Sequence, residues 1–449
     1  MGPTRTSGGS RPGLTKEGRW VDRGKRAVRV STMLATAMLI AACTSTPSES
    51  PTGSTASISS STPGPGASND GATQAPLDTT APTLPVSSGP WQPVTPQDSV
   101  AGSQVLDVVW TGTRFIAAGQ GLGGGGTFLR SPDGKTWKSG TSGGTRGFPE
   151  RIAAGPNGIV AVGTVDEKPA VWHSADGVHW TYRSAVFPTS LGSDDTVKVT
   201  DIAPTATGWV AVGRDDPFCQ FNCGLDPLRA LAWTSTDAEQ WTRVGRQPSF
   251  PGAAINAVTA TEAGGLVAAG IAGGHAAIWT SGDGLTWTRV VDNPMFGPQP
   301  GAGSQASVNA TGVAAARGSI VVVAMAFDAG PGGAPIVMAW RSSDGLAWRP
   351  ATVDGGVEGQ VFDVAATSSG FLATGPSGAS SCLGGIWSST DGTAWTCEAT
   401  DPAFEGFGPY AAAGSQTADV AVGLTNVGCE DESACPNGLP GAIWWRPIP

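Results

Sequence analysis

Ser281-Gly282-Asp283-Gly284-Leu285-Thr286-Trp287 decides the fold, because the pattern Ser-x-Asp-Gly-x-x-Trp returns along the chain. It recurs at Ser131…Asp133-Gly134…Trp137, Ser174…Asp176-Gly177…Trp180, Ser342…Asp344-Gly345…Trp348 and Ser389…Asp391-Gly392…Trp395. A sixth copy, Ser235…Asp237…Trp241, has Ala238 in place of the glycine. Successive tryptophans stand 43, 61, 46, 61 and 47 residues apart, close to one four-stranded propeller blade plus variable loops. Internal repetition at that period is the mark of a radial or stacked array.

Outward from each motif the apolar pattern is that of strands. Immediately upstream lies a stretch ending in an aromatic, such as Ala277-Ile278-Trp279, and before it a second strand closed by glycine, as in Val160-Ala-Val-Gly163 or Val420-Ala-Val-Gly423. A third, such as Val361-Phe-Asp-Val-Ala365, precedes that one, and the fourth begins at the motif tryptophan. The last unit stops after Ala442-Ile-Trp444 without a fourth strand, while Trp91-Gln-Pro-Val94 stands alone ahead of the first unit. The expectation is an all-β, seven-bladed β-propeller over residues 91–449, with the N-terminal strand completing the last blade and leaving no open edge at the closure. Of the 17 tryptophans, six lie in motifs and Trp172, Trp233, Trp279, Trp340, Trp387 and Trp444 in the preceding strands; all twelve are predicted to pack between blades rather than form a sugar platform.

The motif resembles the Asp-box, or BNR repeat, of sialidases, sortilin-type receptors, some glycoside hydrolases and photosystem II assembly factors. On that resemblance, and on the tendency of Ser and Asp side chains to bond nearby backbone amides, Asp133, Asp176, Asp237, Asp283, Asp344 and Asp391 are structural turn-builders and not catalytic residues. A sialidase would further need three carboxylate-clamping arginines, a Tyr nucleophile assisted by Glu, an Asp acid/base and a Phe/Tyr-Arg-Ile-Pro sequence before the first box. That sequence is absent; Phe148-Pro-Glu-Arg151-Ile152 is a poor imitation in the wrong place, and Tyr182 and Tyr410 are the two tyrosines. No catalytic residue is assigned.

The N-terminus gives an address. Basic residues (Arg19, Arg23, Lys25, Arg26, Arg29) precede an uncharged, mostly apolar run from Ser31 to Ala42, too short for a permanent span. Ile40-Ala41-Ala42-Cys43 is similar to a bacterial lipobox, which makes residues 1–42 a lipoprotein signal peptide and Cys43 the lipidated residue. Residues 43–90 are nearly all Ser, Thr, Pro, Gly and Ala and cannot bury a core, so they are predicted to be a disordered tether with a reach of about 35 to 40 Å. Loss of residues 1–42 leaves 18 Lys/Arg against 34 Asp/Glu, a formal charge of −16. That sign excludes nucleic acid as a natural partner. The expected location is extracytoplasmic, lipid-anchored to the cell membrane.

Six cysteines remain, and an even number outside the cytoplasm points to disulfides: Cys219 with Cys223, Cys382 with Cys397 across the turn at Ser389, and Cys429 with Cys435. A zinc site would need a second Cys or His pair at ligand spacing, which is missing. Gly140-Thr-Ser142-Gly-Gly144 lacks the strand-turn-helix of a hydrolase elbow, and Gly119-Gln-Gly121-Leu-Gly-Gly124 lacks the helix of a dinucleotide fingerprint. The three histidines, His173, His179 and His275, form no constellation, and no cofactor is implied.

Length variation concentrates in loops at the end of the ring opposite the motif turns, and these carry acids: Asp166, Glu167, Asp194, Asp195, Asp215, Asp216, Asp226, Asp328, Glu430, Asp431 and Glu432. They are the candidate ligand face, for a cation, a basic peptide or a polyol. The expected function is non-catalytic binding or scaffolding of an envelope protein, peptide or glycan by a monomeric lipoprotein. A sialidase-like glycoside hydrolase and an assembly factor for a membrane complex are the alternatives.

Overall fold

The computed structural model describes residues 89–94, 100, 102–121, 124–140, 147–184, 186–188, 197–215, 228–298, 306–327, 334–354, 358–376, 382–400, 404–426 and 439–448. They form seven sheets arranged as a propeller, six of four antiparallel strands and a seventh, blade 6, in which a fifth strand, Thr352–Val353, is added parallel to Ala394–Cys397. The proposed signal peptide, Cys43 and all but the end of the proposed tether lie outside the described residues.

Blades 1 to 5 begin with the strands Ser103–Trp110, Phe148–Gly155, Val197–Thr205, Ala253–Ala260 and Ser307–Ala316. Blades 6 and 7 begin with Asp363–Thr367 and Phe407–Gly414. These seven first strands surround the axis. The second strand of each blade, such as Gly158–Val165 or Gly208–Asp215, is covered by blades on both sides, which is why it reads as nearly continuous apolar sequence. Apolar clusters fill each gap between blades; Val160, Val162, Trp209, Ala211 and Trp233 pack blade 2 onto blade 3. Trp172, Trp233, Trp279, Trp340 and Trp387 are almost wholly buried in these gaps, and Trp444 nearly so.

The glycine closing the second strand has a specific cause. In blade after blade the first strand carries a one-residue bulge that pushes a carbonyl onto this glycine: a Cβ on Gly119 would stand 1.8 Å from Gln104 O, on Gly163 2.0 Å from Phe148 O, and on Gly423 2.1 Å from Gly408 O.

The Ser-x-Asp-Gly-x-x-Trp turns join third and fourth strands. Ser281 Oγ donates to Asp283 Oδ1 (3.1 Å) and accepts from Gly284 N (2.9 Å). Asp283 Oδ1 accepts from Leu285 N and Thr286 N at 2.8 Å each, and Trp287 Nε1 donates to Gly284 O at 3.1 Å. The serine and aspartate bonds recur around Asp133, Asp176, Asp237 and Asp344, the tryptophan bond recurs for Trp137, Trp241 and Trp348 but not for Trp180, and Asp391 accepts from Thr393 N. The N–H of Thr286, then that of Leu285, holds the Asp283 carboxyl below its ordinary range; Ala347 and Leu346 do the same for Asp344. Ala238 takes φ +62°, the conformation glycine supplies elsewhere.

Blade 7 closes the ring. Gln92 pairs with Trp445 and Pro93 with Trp444, and Val94 N donates to Ile443 O (2.8 Å), so the N-terminal strand is the fourth strand of the last blade. This blade has no motif turn. Where the others pair a large apolar residue with the motif serine (Phe115 with Ser131, Ile159 with Ser174, Phe371 with Ser389), blade 7 pairs Asp419 with Arg446. Both are buried; Arg446 Nε donates to Asp419 Oδ2 and Nη1 to Glu398 Oε2 of blade 6, 3.0 Å each, and the guanidinium lies 4.8 Å from the Trp91 ring centre.

Candidate functional site

The bulges gather chemistry at the axis. Their extra residues are Leu106, Glu150, Thr200, Asn256 and Thr311 in blades 1 to 5 and Tyr410 in blade 7. Phe362 takes the corresponding place in blade 6, its N–H donating to Thr374 O. On one side of the ring these side chains stitch blade to blade: Thr200 Oγ1 donates to Ile255 O (2.8 Å), Asn256 Nδ2 to Ala310 O (2.8 Å) and Thr311 Oγ1 to Val361 O (2.7 Å). On the other side stand Phe362, Tyr410, Leu106 and Glu150. Phe, Leu and ionised Glu have no hydrogen to donate to a neighbouring carbonyl, and the rings of Phe362 and Tyr410 lie 5.2 Å apart.

The residue after each bulge is Asp107, Arg151, Asp201, Ala257, Gly312, Asp363 or Ala411. Two of these carboxylates span blades. Asp107 accepts from Val108 N (2.7 Å) and, through its other oxygen, from Ile152 N of blade 2 (2.8 Å). Asp201 accepts from Ile202 N (2.8 Å) and from Val258 N of blade 4 (2.7 Å). Each satisfies one amide of its own strand and one of the next blade's, which a buried backbone demands.

Charge is unevenly balanced there. Burial pushes Asp107 up to about 8 and Asp201 up to about 7, with the Arg151 guanidinium as the main opposing influence on each. Burial raises Glu150 and Asp363 too, again against Arg151. Burial also works against the charge on Arg151, but Asp107, Asp363, Asp201 and Glu150 together more than offset it. Burial pushes the Tyr410 hydroxyl up to about 12, with Arg151 acting the other way. One arginine therefore serves four acids and a phenol. Among the described residues no three His, Cys, Asp or Glu side chains form a group that could hold a metal ion.

Of the acidic residues expected at the loop end, Asp166 and Glu167 make the exposed tight turn between second and third strands of blade 2, with φ of +49° and +66°. Asp215 ends the second strand of blade 3 at the same end of the ring, but it is buried and does not face solvent. Asp194, Asp195, Asp216, Asp226, Asp328, Glu430, Asp431 and Glu432 lie outside the described residues, as do Cys219, Cys223, Cys429 and Cys435. Cys382 and Cys397 form a disulfide, Cα atoms 5.6 Å apart.

The axial cluster was not foreseen as a cluster. A signal for it exists: when first strands are aligned, Val105-Leu-Asp107, Val199-Thr-Asp201 and Val361-Phe-Asp363 share Val-x-Asp, and Pro149-Glu-Arg151 falls in the same frame.

Among solved structures, the chain is similar to the Penicillium chrysogenum alpha-L-arabinanase complexed with arabinobiose (12% identity over 66% of this chain and 92% of that one, TM-score 0.42). It is also similar to Trypanosoma rangeli sialidase (15%, 70% of this chain and 56% of that one, 0.41) and to phage phi92 endosialidase (9%, 80% and 69%, 0.44). The chain thus spans just over half the length of the trypanosome enzyme. No curated protein matches it. The model of the DUF6242 beta propeller domain matches residues 71–331, more than half of the 449, and the chain belongs to that family.

Proposed function

We propose that this is an extracytoplasmic lipoprotein, anchored through Cys43, whose Asp-box propeller binds or scaffolds an envelope component without turning it over. The observation that carries the reading is the use made of the axial acids. Asp107 and Asp201 have both oxygens engaged by backbone amides of two blades, and the Tyr410 hydroxyl sits at about 12. Groups so committed hold the ring together, whereas a catalytic acid or base must have an oxygen open to the substrate. The exposed acids Asp166 and Glu167 leave the loop end as the side on which a cation, a basic peptide or a polyol would be met.

A sialidase-like glycoside hydrolase is the second reading, favoured by one fact: Tyr410, Glu150 and Arg151 share the axis. The two readings separate in one assay. Purified full-length mature protein is incubated with fluorogenic sialosides and other aryl glycosides between pH 5 and 8. Binding without catalysis requires release no faster than the buffer blank; release lost on Tyr410→Phe and on Glu150→Gln would establish the hydrolase instead.

A further inference from the structure

Blade 6 has less ladder than its neighbours, and a disulfide stands where the ladder is short. Its third strand, Ile386–Ser389, has four residues, whereas the third strands of the other blades have six or seven. Cys382 lies just ahead of it, in a turn closed by Gly385 N donating to Cys382 O (3.2 Å), and Cys397 ends the fourth strand, Ala394–Cys397. The disulfide joins the two across a separation of 15 residues. Past the Trp387–Cys397 pair, Glu398 N donates to Ile386 O (2.8 Å) and Gly384 N to Ala399 O (3.1 Å).

The two residues after Cys397 are the ones that hold blade 6 to the closing blade. Glu398 accepts from Ser388 Oγ through one oxygen and from Arg446 Nη1 through the other (3.0 Å), and Arg446 in turn holds Asp419 and lies against Trp91. Ala399 is buried in one apolar cluster with Ile386, Phe404, Trp444 and Trp91, against which Leu383 packs. A Cβ on Gly384 would stand 2.5 Å from Phe404 and 2.6 Å from Ala399, so the turn after Cys382 lies directly on that cluster. One covalent bond therefore braces both the polar and the apolar contacts that seat Trp91. The closing strand pairs through Gln92 and Pro93 and one further bond from Val94, and depends on Trp91 for its place. Cys382 is fully buried but Cys397 is half-buried, which leaves the Cys397 sulfur as the one a thiolate can approach.

We propose that the Cys382–Cys397 disulfide is a redox-sensitive brace of the ring closure, whose reduction unseats Glu398 and Ala399 and loosens the strand Trp91–Val94 from blade 7. The step is exchange with a dithiol reductant. Its thiolate attacks Cys397 Sγ, the S–S bond breaks, and Cys382 leaves as a thiolate that takes up a proton. The second thiol of the reductant then attacks the mixed disulfide and releases Cys397. Two electrons and two protons pass to the protein, and the dithiol becomes a disulfide. The inference does not depend on the lipid at Cys43.

The test is hydrogen exchange, read by mass spectrometry, on the full chain with the other five cysteines replaced (Cys43→Ser, Cys219→Ser, Cys223→Ser, Cys429→Ser and Cys435→Ser), before and after millimolar dithiothreitol. Amides of Gly441–Pro447 and of Val94 are expected to exchange about tenfold faster after reduction and to recover on reoxidation, with the second strands of blades 2 to 4 unchanged. Acceleration confined to residues 382–399 overturns the proposal, because the bond then staples blade 6 alone. Equal acceleration in every blade overturns it too, and so does a disulfide that stays closed in the folded chain. In the unsubstituted, oxidised chain, Glu398→Ala is expected to speed exchange of Gly441–Pro447 about threefold with the disulfide intact; no change there contradicts the route through Glu398.

Discussion

Asp419 and Arg446 face each other across the second and third strands of blade 7, at the position where other blades pair a large apolar side chain with the motif serine. The blade that lacks a motif turn is held by a buried ion pair. Arg446 ties together blade 7, Glu398 of blade 6 and Trp91 of the closing strand. Burial, opposed by Arg446, pushes Asp419 up to about 6, so the aspartate depends on that guanidinium to remain charged at neutral pH. Removing one partner leaves an uncompensated buried charge: Arg446→Met is expected to cost about 3 to 5 kcal/mol in denaturant unfolding. The double substitution Asp419→Leu with Arg446→Ser, which restores the pattern of the other blades, is expected to recover most of that loss. A double variant as unstable as the single one would show that the pair does more than fill the gap.

Trp91 anchors the closure from the other side, nearly buried among Leu372, Phe404 and Trp444. Trp91→Ala is expected to lower stability by about 3 to 5 kcal/mol. It should also expose the strand Gly441–Pro447 as an open edge, read as faster hydrogen exchange of its amides than in the other third strands.

Ala238 holds a left-handed backbone that disfavours any side chain by about 1 to 2 kcal/mol. Ala238→Gly is therefore expected to raise stability by about 0.5 to 1 kcal/mol after glycine's entropic cost is subtracted. The reverse change at Gly284 should destabilise more, because its Cβ would also meet Val210 at 2.6 Å. Thermal unfolding of the two variants gives opposite signs if the turn works as described.

The axial carboxyls set the pH profile. Asp107 and Asp201 have folded-state values near 8 and 7, above the ordinary 3.8, so the folded chain holds more protons than the unfolded one between those limits. Stability should therefore fall as pH rises from about 5 to 8 and level off above. The motif aspartates Asp283 and Asp344, held low, act oppositely and only near and below the ordinary carboxylate range, placing the optimum near pH 5. Arg151→Gln removes the main opposing charge and should steepen the decline. Asp107→Asn should shallow it, while lowering stability by about 1 to 3 kcal/mol because an amide cannot accept from both Val108 and Ile152. Urea midpoints measured from pH 5 to 9 check all three.

The ring was legible because its information is repeated. Six motif turns, the tryptophans before them and the Val-Ala-Val-Gly strands each state the blade, and the isolated Trp91-Gln-Pro-Val94 states the closure. The axial site is written once per blade, at a bulge that an alternating strand pattern does not register, and in seven different environments from Leu106 to Tyr410. Its acids stand in strands whose alternating pattern does not distinguish a side chain facing the axis from one facing solvent. Asp419 was hidden for a related reason: it sits beside Val420-Ala-Val-Gly423, which reads as one more second strand, and Arg446 lies near the chain end with no motif to mark it.

The proposed function rests on the lipid at Cys43. Mass spectrometry of the N-terminal peptide, from full-length chain recovered in the membrane fraction of expressing bacteria, tests this most directly. The account requires a peptide that begins at Cys43 and carries diacylglyceryl and acyl mass, absent in Cys43→Ala. An unmodified Cys43 peptide continuous with Ala42 in a soluble fraction would contradict it.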